Sequence, residues 1–122
     1  MQTPTPLTVR TAEPAADTIV FELAGALQGD REGRAFEDAL RAATAGHRIV
    51  VIDLARIERL DSCGFGILVA GLVSATNAGG RLGLAAVPER VLALLRAMCV
   101  LDLMVHAPSV DDVLFTLKGK HA

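Results

Sequence analysis

The sequence predicts a single α/β domain, a mixed β-sheet of about five strands with helices packed against it, in the order β-β-α-β-α-β-α-β-α. Two patterns support this prediction. Apolar and polar residues alternate over much of 7–24, as in half-buried strands, whereas Ile49–Ile52 is apolar throughout. A strand without polar positions is typical of the centre of a sheet that is covered on both faces.

The chain begins with a leader and a hairpin. Residues 1–6 contain two prolines and are expected to form a flexible leader ahead of a domain over 7–117. Strands are predicted at about 7–10 and 19–24, because apolar and polar residues alternate there. The connection between them is too short for a parallel crossover, so we expect these two strands to be antiparallel.

The first helix is predicted at about 31–44. Gly25 and Gly29 mark a loop that leads to Asp30, whose side chain is suited to cap the start of the helix. Gly46 lies where a helix commonly ends. Four residues at helical spacing form the predicted buried face: Phe36, Ala39, Leu40 and Ala43.

The remaining elements alternate between strand and helix. They are a strand at 48–54, a helix from Ser62 to about Ala78, a strand at 82–86, a helix at 88–98, a strand at 103–106 and a helix from Ser109 to Leu117. The helix at 88–98 carries a predicted buried stripe of Val91, Leu92, Leu95 and Met98. Residues 118–122 are expected to fray.

Composition argues against several classes of function. The formal charge of -2 provides no basic surface for nucleic acid, and the absence of Trp and Tyr removes the usual stacking residues. The most apolar segment, 63–75, is shorter than the ~20 residues of a membrane span, so no direct membrane insertion is expected. The first residues lack the pattern of an export signal, which predicts a cytoplasmic location.

Cysteines and histidines give no sign of a cofactor or metal site. Cys63 and Cys99 are predicted to lie at opposite edges of the sheet, beyond the ~7 Å limit for a disulfide, and to be reduced. His47, His106 and His121 are scattered over different elements, without the spacing of a metal site or a catalytic triad.

Ser62 is the residue that most suggests a function. It lies between an apolar strand and an apolar helix, where unpaired backbone N–H groups favour negative charge. A Ser at such a place is most often an N-cap, but Asp61 offers a capping side chain next to it. Gly64 and Gly66 open the same helix at a cost of about 1 kcal/mol each relative to Ala, as expected if something approaches the backbone closely. A phosphate on Ser62 would be tolerated.

The helix that follows Ser62 has two stripes. Small residues recur at every fourth position: Gly66, Ala70, Ser74 and Ala78. They are expected either to pack against the helix at 88–98 or to form a shallow apolar surface for a partner. The bulky stripe predicted to face the sheet consists of Phe65, Leu68, Val69 and Leu72.

Two short signatures within this element order resemble the STAS domain family, which includes the bacterial anti-sigma factor antagonists. Gly25–Leu27 looks like the family's Gly-x-Leu signature. Asp53-Leu54, followed by Asp61–Gly64, looks like its Asp-Leu…Asp-Ser-Ser-Gly signature. Two positions depart from the family pattern: Cys63 replaces the second Ser, and Gln28 stands where antagonists often carry Asp.

The resemblance implies a STAS fold and a protein-binding switch rather than an enzyme. In the antagonists, the Ser that follows the Asp is phosphorylated by the anti-sigma factor serine kinase, and Ser62 occupies that place. The implied partners are this kinase and a PP2C-type phosphatase, and the implied result is release of a sigma factor in a stress response. The implied partner-binding residues are Gly25, Leu27, Asp30, Asp61, Ser62, Cys63, Gly64, Phe65 and Gly66.

Two other functions stay open. One is a non-phosphorylated STAS subunit or scaffold of a transporter ATPase or a larger signalling complex. The other is a small-ligand sensor with an apolar pocket. A dinucleotide fingerprint is not met because Val69 stands where the third Gly is required, and a hydrolase elbow is not met because position 60 is Leu.

Overall fold

The computed structural model describes residues 5–119, which form five strands and four α-helices. In chain order these are β1 (Thr8–Ala15), β2 (Thr18–Leu27), α1 (Arg31–Gly46), β3 (Ile49–Leu60), α2 (Ser62–Asn77), β4 (Arg81–Ala85), α3 (Glu89–Ala97), β5 (Val105–Ala107) and α4 (Val110–Gly119). A short 3₁₀ helix, Leu101–Leu103, lies between α3 and β5. The predicted fold class and order of elements are confirmed.

All five strands belong to one sheet with the order β1-β2-β3-β4-β5. β1 and β2 form the predicted antiparallel hairpin, and every other neighbouring pair is parallel. Val50, Val51 and Ile52 are fully buried at the centre of the sheet. The inference from their continuous apolar character is therefore confirmed.

The two faces of the sheet pack against different helices. Successive strand residues point to opposite faces, so Ile52 belongs to the main core and Val51 to a second, smaller one. The main core includes the buried residues of α1, α2 and α3, and in it the rings of Phe21 and Phe36 meet edge to face, 5.3 Å apart. The smaller core is completed by Val113 and Leu117 of α4.

β2 and β3 both extend further than predicted. The predicted loop at Gly25 and the predicted end of strand three at Leu54 are wrong, because the two strands continue in parallel as far as Leu27 and Leu60. The register shifts twice along this extension, and Gly25 has a φ of +94°, which glycine adopts without steric cost. The extension carries both strands to the edge of the sheet where α1 and α2 begin.

Several predicted core positions are exposed. Ala39 lies at the margin of the buried stripe of α1 and faces solvent. Met98 caps the carboxyl end of α3 and is 55% exposed, because the helix ends at Ala97. Leu103, predicted to begin β5, belongs instead to the 3₁₀ helix and is 68% exposed.

The start of α3 also differs from the prediction by one residue: Pro88 is the N-cap of the helix and not its first residue.

The two ends of the described chain are more ordered than predicted. Within the predicted flexible leader, Thr5 accepts a backbone hydrogen bond of 2.9 Å from Ala26, and Pro6 forms a bridge with the same residue. At the other end, α4 continues through Gly119, beyond the predicted onset of fraying at Lys118. The rest of both predicted segments, 1–4 and 120–122, lies outside the described residues.

His47 connects the hairpin to the end of α1. Its Nδ1 lies 3.0 Å from the backbone oxygen of Ala43, and its Nε2 lies 3.0 Å from a carboxylate oxygen of Glu13 in β1. A neutral imidazole carries a single N–H, so only the protonated ring can donate to both oxygens. The hydrogen bond with Glu13 is the main cause that raises the pKa of His47, and the bond with Ala43 raises it further.

The raised pKa of His47 predicts that stability depends on pH. The folded protein holds this proton more tightly than the unfolded chain, so the contribution is fully present below the ordinary pKa of 6.5 and is lost as pH rises through the higher folded value. Urea unfolding at a series of pH values should show the free energy of unfolding declining across this window. The variant Glu13→Gln should flatten the decline, and an unchanged slope would contradict the assignment.

Candidate functional site

The candidate site lies where β2 and β3 end side by side. Leu27 pairs with Leu60 in the parallel ladder, and each strand is followed directly or after a short loop by a helix. The amino ends of α1 and α2 therefore lie at the same edge of the sheet. Each helix begins with a capping Asp, Asp30 for α1 and Asp61 for α2.

Asp30 is held by two hydrogen bonds. One carboxylate oxygen accepts from the backbone N–H of Gly33 at 2.9 Å, and the other accepts from the side-chain amide of Gln28 at 3.2 Å. The bond from Gly33 is the largest cause that lowers the pKa of Asp30, and the bond from Gln28 lowers it further. Asp30 is therefore ionised at neutral pH, and its predicted capping role is confirmed.

Asp61 leaves Ser62 without a capping task. The Asp61 carboxylate accepts from the backbone N–H of Gly64 at 2.8 Å, as an N-cap does. Ser62 is the first residue of α2 and is exposed, and its hydroxyl has no hydrogen-bond partner among residues 5–119. The Ser62 hydroxyl is accordingly available to solvent and to an approaching protein.

Gly64 and Gly66 have different roles, although the sequence shows them as equivalent. A Cβ on Gly64 would overlap the backbone oxygen of Leu27, whereas a Cβ on Gly66 would meet nothing within 4 Å. Gly64 thus allows α2 to approach β2, where the backbone N–H of Asp61 also donates to the Leu27 oxygen at 3.4 Å. The close approach predicted at Gly64 is made by the protein's own backbone.

Gly29 is a site residue that the sequence alone does not reveal. A Cβ at this position would lie 2.8 Å from the sulfur of Cys63, so the loop between β2 and α1 packs directly against the start of α2. The sequence signals only a turn at Gly29. Its contact with Cys63 follows from the parallel pairing of two strands that are far apart in the sequence.

The implied partner-binding residues divide into a surface and its support. The exposed residues Asp61, Ser62, Cys63 and Gly66, together with half-buried Asp30, form what we call the Ser62 surface. The others contribute little or no accessible surface: Gly25, Leu27 and Gly64 are buried, and Phe65 is half-buried against the main core. Leu27 is 0% exposed, so its side chain supports the edge from beneath and cannot touch a partner.

The small residues of α2 do not pack against α3 as one prediction held. The neighbour of α2 is α1, and the contact is made at Gly71, where a Cβ would press on the side chain of Leu40. Gly66 and Ala70 face solvent, and Val73 on the same side is 51% exposed. Ile67 belongs to the core, whereas Val69, which was assigned to the bulky stripe, is only half-buried.

Other chemistries have less support. Cys63 and Cys99 are both free, as predicted, and both are exposed. Among residues 5–119, no cluster of three or more His, Cys, Asp or Glu side chains is arranged to hold a metal ion. Within the same stretch, none of the helices combines the length and the apolar character that crossing a membrane requires.

The separate roles of Asp61 and Ser62 predict different effects on stability. Replacement of Asp61 by Ala removes the cap of α2 and should lower the free energy of unfolding by about 1 kcal/mol. Replacement of Ser62 by Ala removes an exposed hydroxyl that bonds to no described residue, so the change should stay within about 0.5 kcal/mol. Urea titration of both variants measures this difference. Equal losses would show that Ser62 shares the capping task.

The chain belongs to the STAS domain family. Residues 11–105 match the family described as "Mlab, STAS domain", which covers most of the sheet and the first three helices. The predicted resemblance is therefore confirmed at the level of the family. No curated protein matches the chain.

Solved structures with the same fold include anti-sigma factor antagonists. An antagonist from Mycobacterium paratuberculosis is 24% identical with a TM-score of 0.76, and the match covers 92% of this chain and 94% of that one. The phosphorylated form of the Bacillus cell fate determinant SpoIIAA is 15% identical with a TM-score of 0.74, covering 91% and 100%. A sulfate transporter family protein from Wolinella succinogenes is 18% identical with a TM-score of 0.67, covering 85% and 87%. These likenesses show the fold.

Proposed function

We propose that the protein is an anti-sigma factor antagonist that binds an anti-sigma factor serine kinase through the Ser62 surface and so releases a sigma factor. The observation that supports the proposal most is the exposure of the Ser62 hydroxyl, which has no capping role. This hydroxyl is exposed at the first turn of α2, and Asp61 already provides the cap. The proposal is supported by the resemblance of Asp61–Gly64 to the antagonist signature, in which the Ser after the Asp is the phosphorylated residue, and by the fold that an antagonist and a phosphorylated SpoIIAA share with this chain.

The amino end of α2 is suited to accept a phosphate. The first N–H groups of a helix carry a partial positive charge of about half a unit, and a phosphoserine adds about −1.5 to −2. Repulsion from Asp61 opposes this attraction, but Ser62 and Asp61 are both exposed, and solvent screens charges there. The domain should therefore remain folded when Ser62 is phosphorylated.

Regulation then acts through the surface that the partner meets. The Ser62 surface carries two carboxylates, those of Asp30 and Asp61, and a dianionic phosphate would about double its negative charge. A partner docked over the unmodified hydroxyl would meet both added bulk and added charge. Like charges or unpaired charges at a close interface cost several kcal/mol, so phosphorylation should release the partner.

The exposed side of α2 extends the Ser62 surface with apolar contacts. Gly66 and Ala70 leave the helix backbone accessible, and Val73 adds an exposed aliphatic side chain. Small side chains let a partner helix approach closely, and the apolar atoms supply the burial that a specific interface needs. The protein acts here as a ligand and a phosphorylation substrate in the cytoplasm, not as a catalyst, and a PP2C-type phosphatase would restore the binding form.

Phosphopeptide mass spectrometry tests the modification itself. The protein is incubated with ATP and the histidine-kinase-like ATPase encoded nearest to its gene, and phosphate is mapped to the sequence. We expect it on Ser62 and expect none on the Ser62→Ala variant. Phosphate on Ser74 or Ser109 instead, or none at all, would contradict the proposed switch.

A second candidate function is a non-phosphorylated subunit or scaffold of a transporter ATPase. The family description names Mlab, one structure with this fold comes from a sulfate transporter family protein, and Cys63 replaces a Ser of the antagonist signature. The same Ser62 surface would then be a permanent docking site. Stable co-purification with a transporter ATPase, unchanged by Ser62→Asp, would favour this function over the antagonist.

A further inference from the structure

A concave feature lies at the opposite edge of the sheet from Ser62. It is a cavity of about 440 Å³, within the size range of sites for small molecules. Four parts of the chain meet there: the turn before β2, the connection from α1 to the start of β3, the connection from α2 to the start of β4, and the last turn of α4. This cavity takes no part in the function proposed above.

Three of the four charged side chains around this cavity are cationic. Arg48, Arg81 and Lys118 line it together with a single carboxylate, that of Asp17, so the lining carries a net charge of +2. Asp17 also accepts a hydrogen bond of 3.0 Å from the hydroxyl of Thr18. None of the three cations forms an ion pair with a carboxylate in the described part of the chain.

The backbone brings the two arginines to the same place. The backbone N–H of Arg81 donates to the oxygen of Arg48 at 2.7 Å, so the two residues lie at the starts of adjacent strands. A Cβ on Gly80 would lie 2.7 Å from that oxygen, which shows that glycine permits the approach. A Cβ on Gly79 would meet nothing within 4 Å, so this wall of the cavity is bare backbone facing open space.

The negative carboxyl ends of nearby helices offset part of this positive charge, but not all of it. The carboxyl ends of α1, α2 and α4 lie at this edge, and each carries about −0.5 of a charge, or about −1.5 together. The last carbonyls of α2 already accept hydrogen bonds from Ala78, Gly79 and Gly80. The side-chain charge of +2 exceeds this amount, so the cavity attracts anions, while solvent screens the repulsion among the exposed side chains of Arg48, Arg81 and Lys118.

We propose that this cavity binds the phosphate group of a small phosphate monoester. The three cations attract a dianion, and guanidinium groups donate paired hydrogen bonds to phosphate oxygens. Half-buried Ile49 supplies apolar surface for the remainder of the molecule. The phosphate group belongs either to a free metabolite or to a lipid headgroup.

Calorimetric titration with inorganic phosphate and with glycerol 3-phosphate tests the binding. Saturable binding that weakens as salt is added is expected for both compounds. Arg48→Gln and Arg81→Gln should each weaken it about tenfold, because each removes one charged donor. Arg34→Gln is the matched control, since Arg34 is exposed in the first turn of α1 at the opposite edge.

Vesicles with and without phosphatidic acid form a separate experiment. If the protein binds only the acidic vesicles, and Arg48→Gln abolishes this binding, the phosphate group belongs to a lipid.

Amide NMR shifts locate the bound anion. Glycerol 3-phosphate should move the signals of Ile49, Gly79 and Gly80. Shifts confined to Ser62–Gly64 would place the anion at the start of α2 and overturn the proposal. Equal affinities of wild type and both arginine variants, or no binding to phosphate, glycerol 3-phosphate or acidic vesicles, would overturn it as well.

Discussion

Replacing Gly64 by Ala is expected to destabilise the domain by about 3 kcal/mol, the upper end of the range for overpacking a filled interior. The added Cβ would overlap the backbone oxygen of Leu27. That oxygen cannot move away freely, because it accepts the hydrogen bond from Asp61 and lies at the end of the buried β2–β3 ladder. For a domain of this size, such a loss lowers the melting temperature by roughly 10 °C.

Gly66→Ala is the matched control for this substitution. Both glycines lie in the first turns of α2, but a Cβ on Gly66 meets nothing within 4 Å. The control variant should gain up to about 1 kcal/mol, because Ala is the better helix former. Thermal unfolding of the two variants under identical conditions measures the difference. A Gly64→Ala protein as stable as Gly66→Ala would contradict the described packing of α2 on β2.

The sequence could not distinguish these two glycines. Both open an apolar helix, and both read equally well as places of close approach. Only the pairing of Leu27 with Leu60 brings a backbone oxygen over Gly64 and leaves Gly66 uncovered. The same non-local pairing places Gly29 on Cys63, so local spacing predicted a candidate site around Ser62 but could not include Gly29 in it.

The sequence predicted the fold more completely than it predicted the candidate site. Alternating and continuous apolar patterns report which faces of a strand are covered, so the hairpin and the central position of β3 followed from the sequence. The length of β3 could not be predicted in this way, because residues 55–60 include exposed Arg56 and Arg59 and so lack a continuous apolar pattern. They join the strand because Ala24 and Ala26 of β2 pair with them. Likewise, the small residues of α2 could not show that its neighbour is α1 and not α3.

Ser62→Asp is expected to weaken binding of the proposed partner, an anti-sigma kinase, at least tenfold, a loss of about 1.4 kcal/mol or more. The added carboxylate lies beside Asp61 on an exposed surface that a docked partner would cover. The helix terminus accepts negative charge, so the fold should survive the change. The effect is thus expected on the affinity and not on the free energy of unfolding.

Two variants isolate the contribution of charge at this position. Ser62→Asn adds a side chain of the same size as Asp without its charge and should bind more tightly than Ser62→Asp. Asn77→Asp adds the same charge at the far end of α2, about 22 Å away along the helix, and should bind like wild type. If Asn77→Asp weakened binding as much as Ser62→Asp, the loss would reflect net charge and not the Ser62 surface.

The most direct test is a calorimetric titration of the kinase with the unmodified protein and with the protein phosphorylated on Ser62. The account predicts that the unmodified form and Ser62→Ala bind with similar affinity, and that the phosphorylated form binds at least about tenfold more weakly. Equal affinities for the phosphorylated and unmodified forms would contradict the proposed switch and leave the scaffold function as the better explanation.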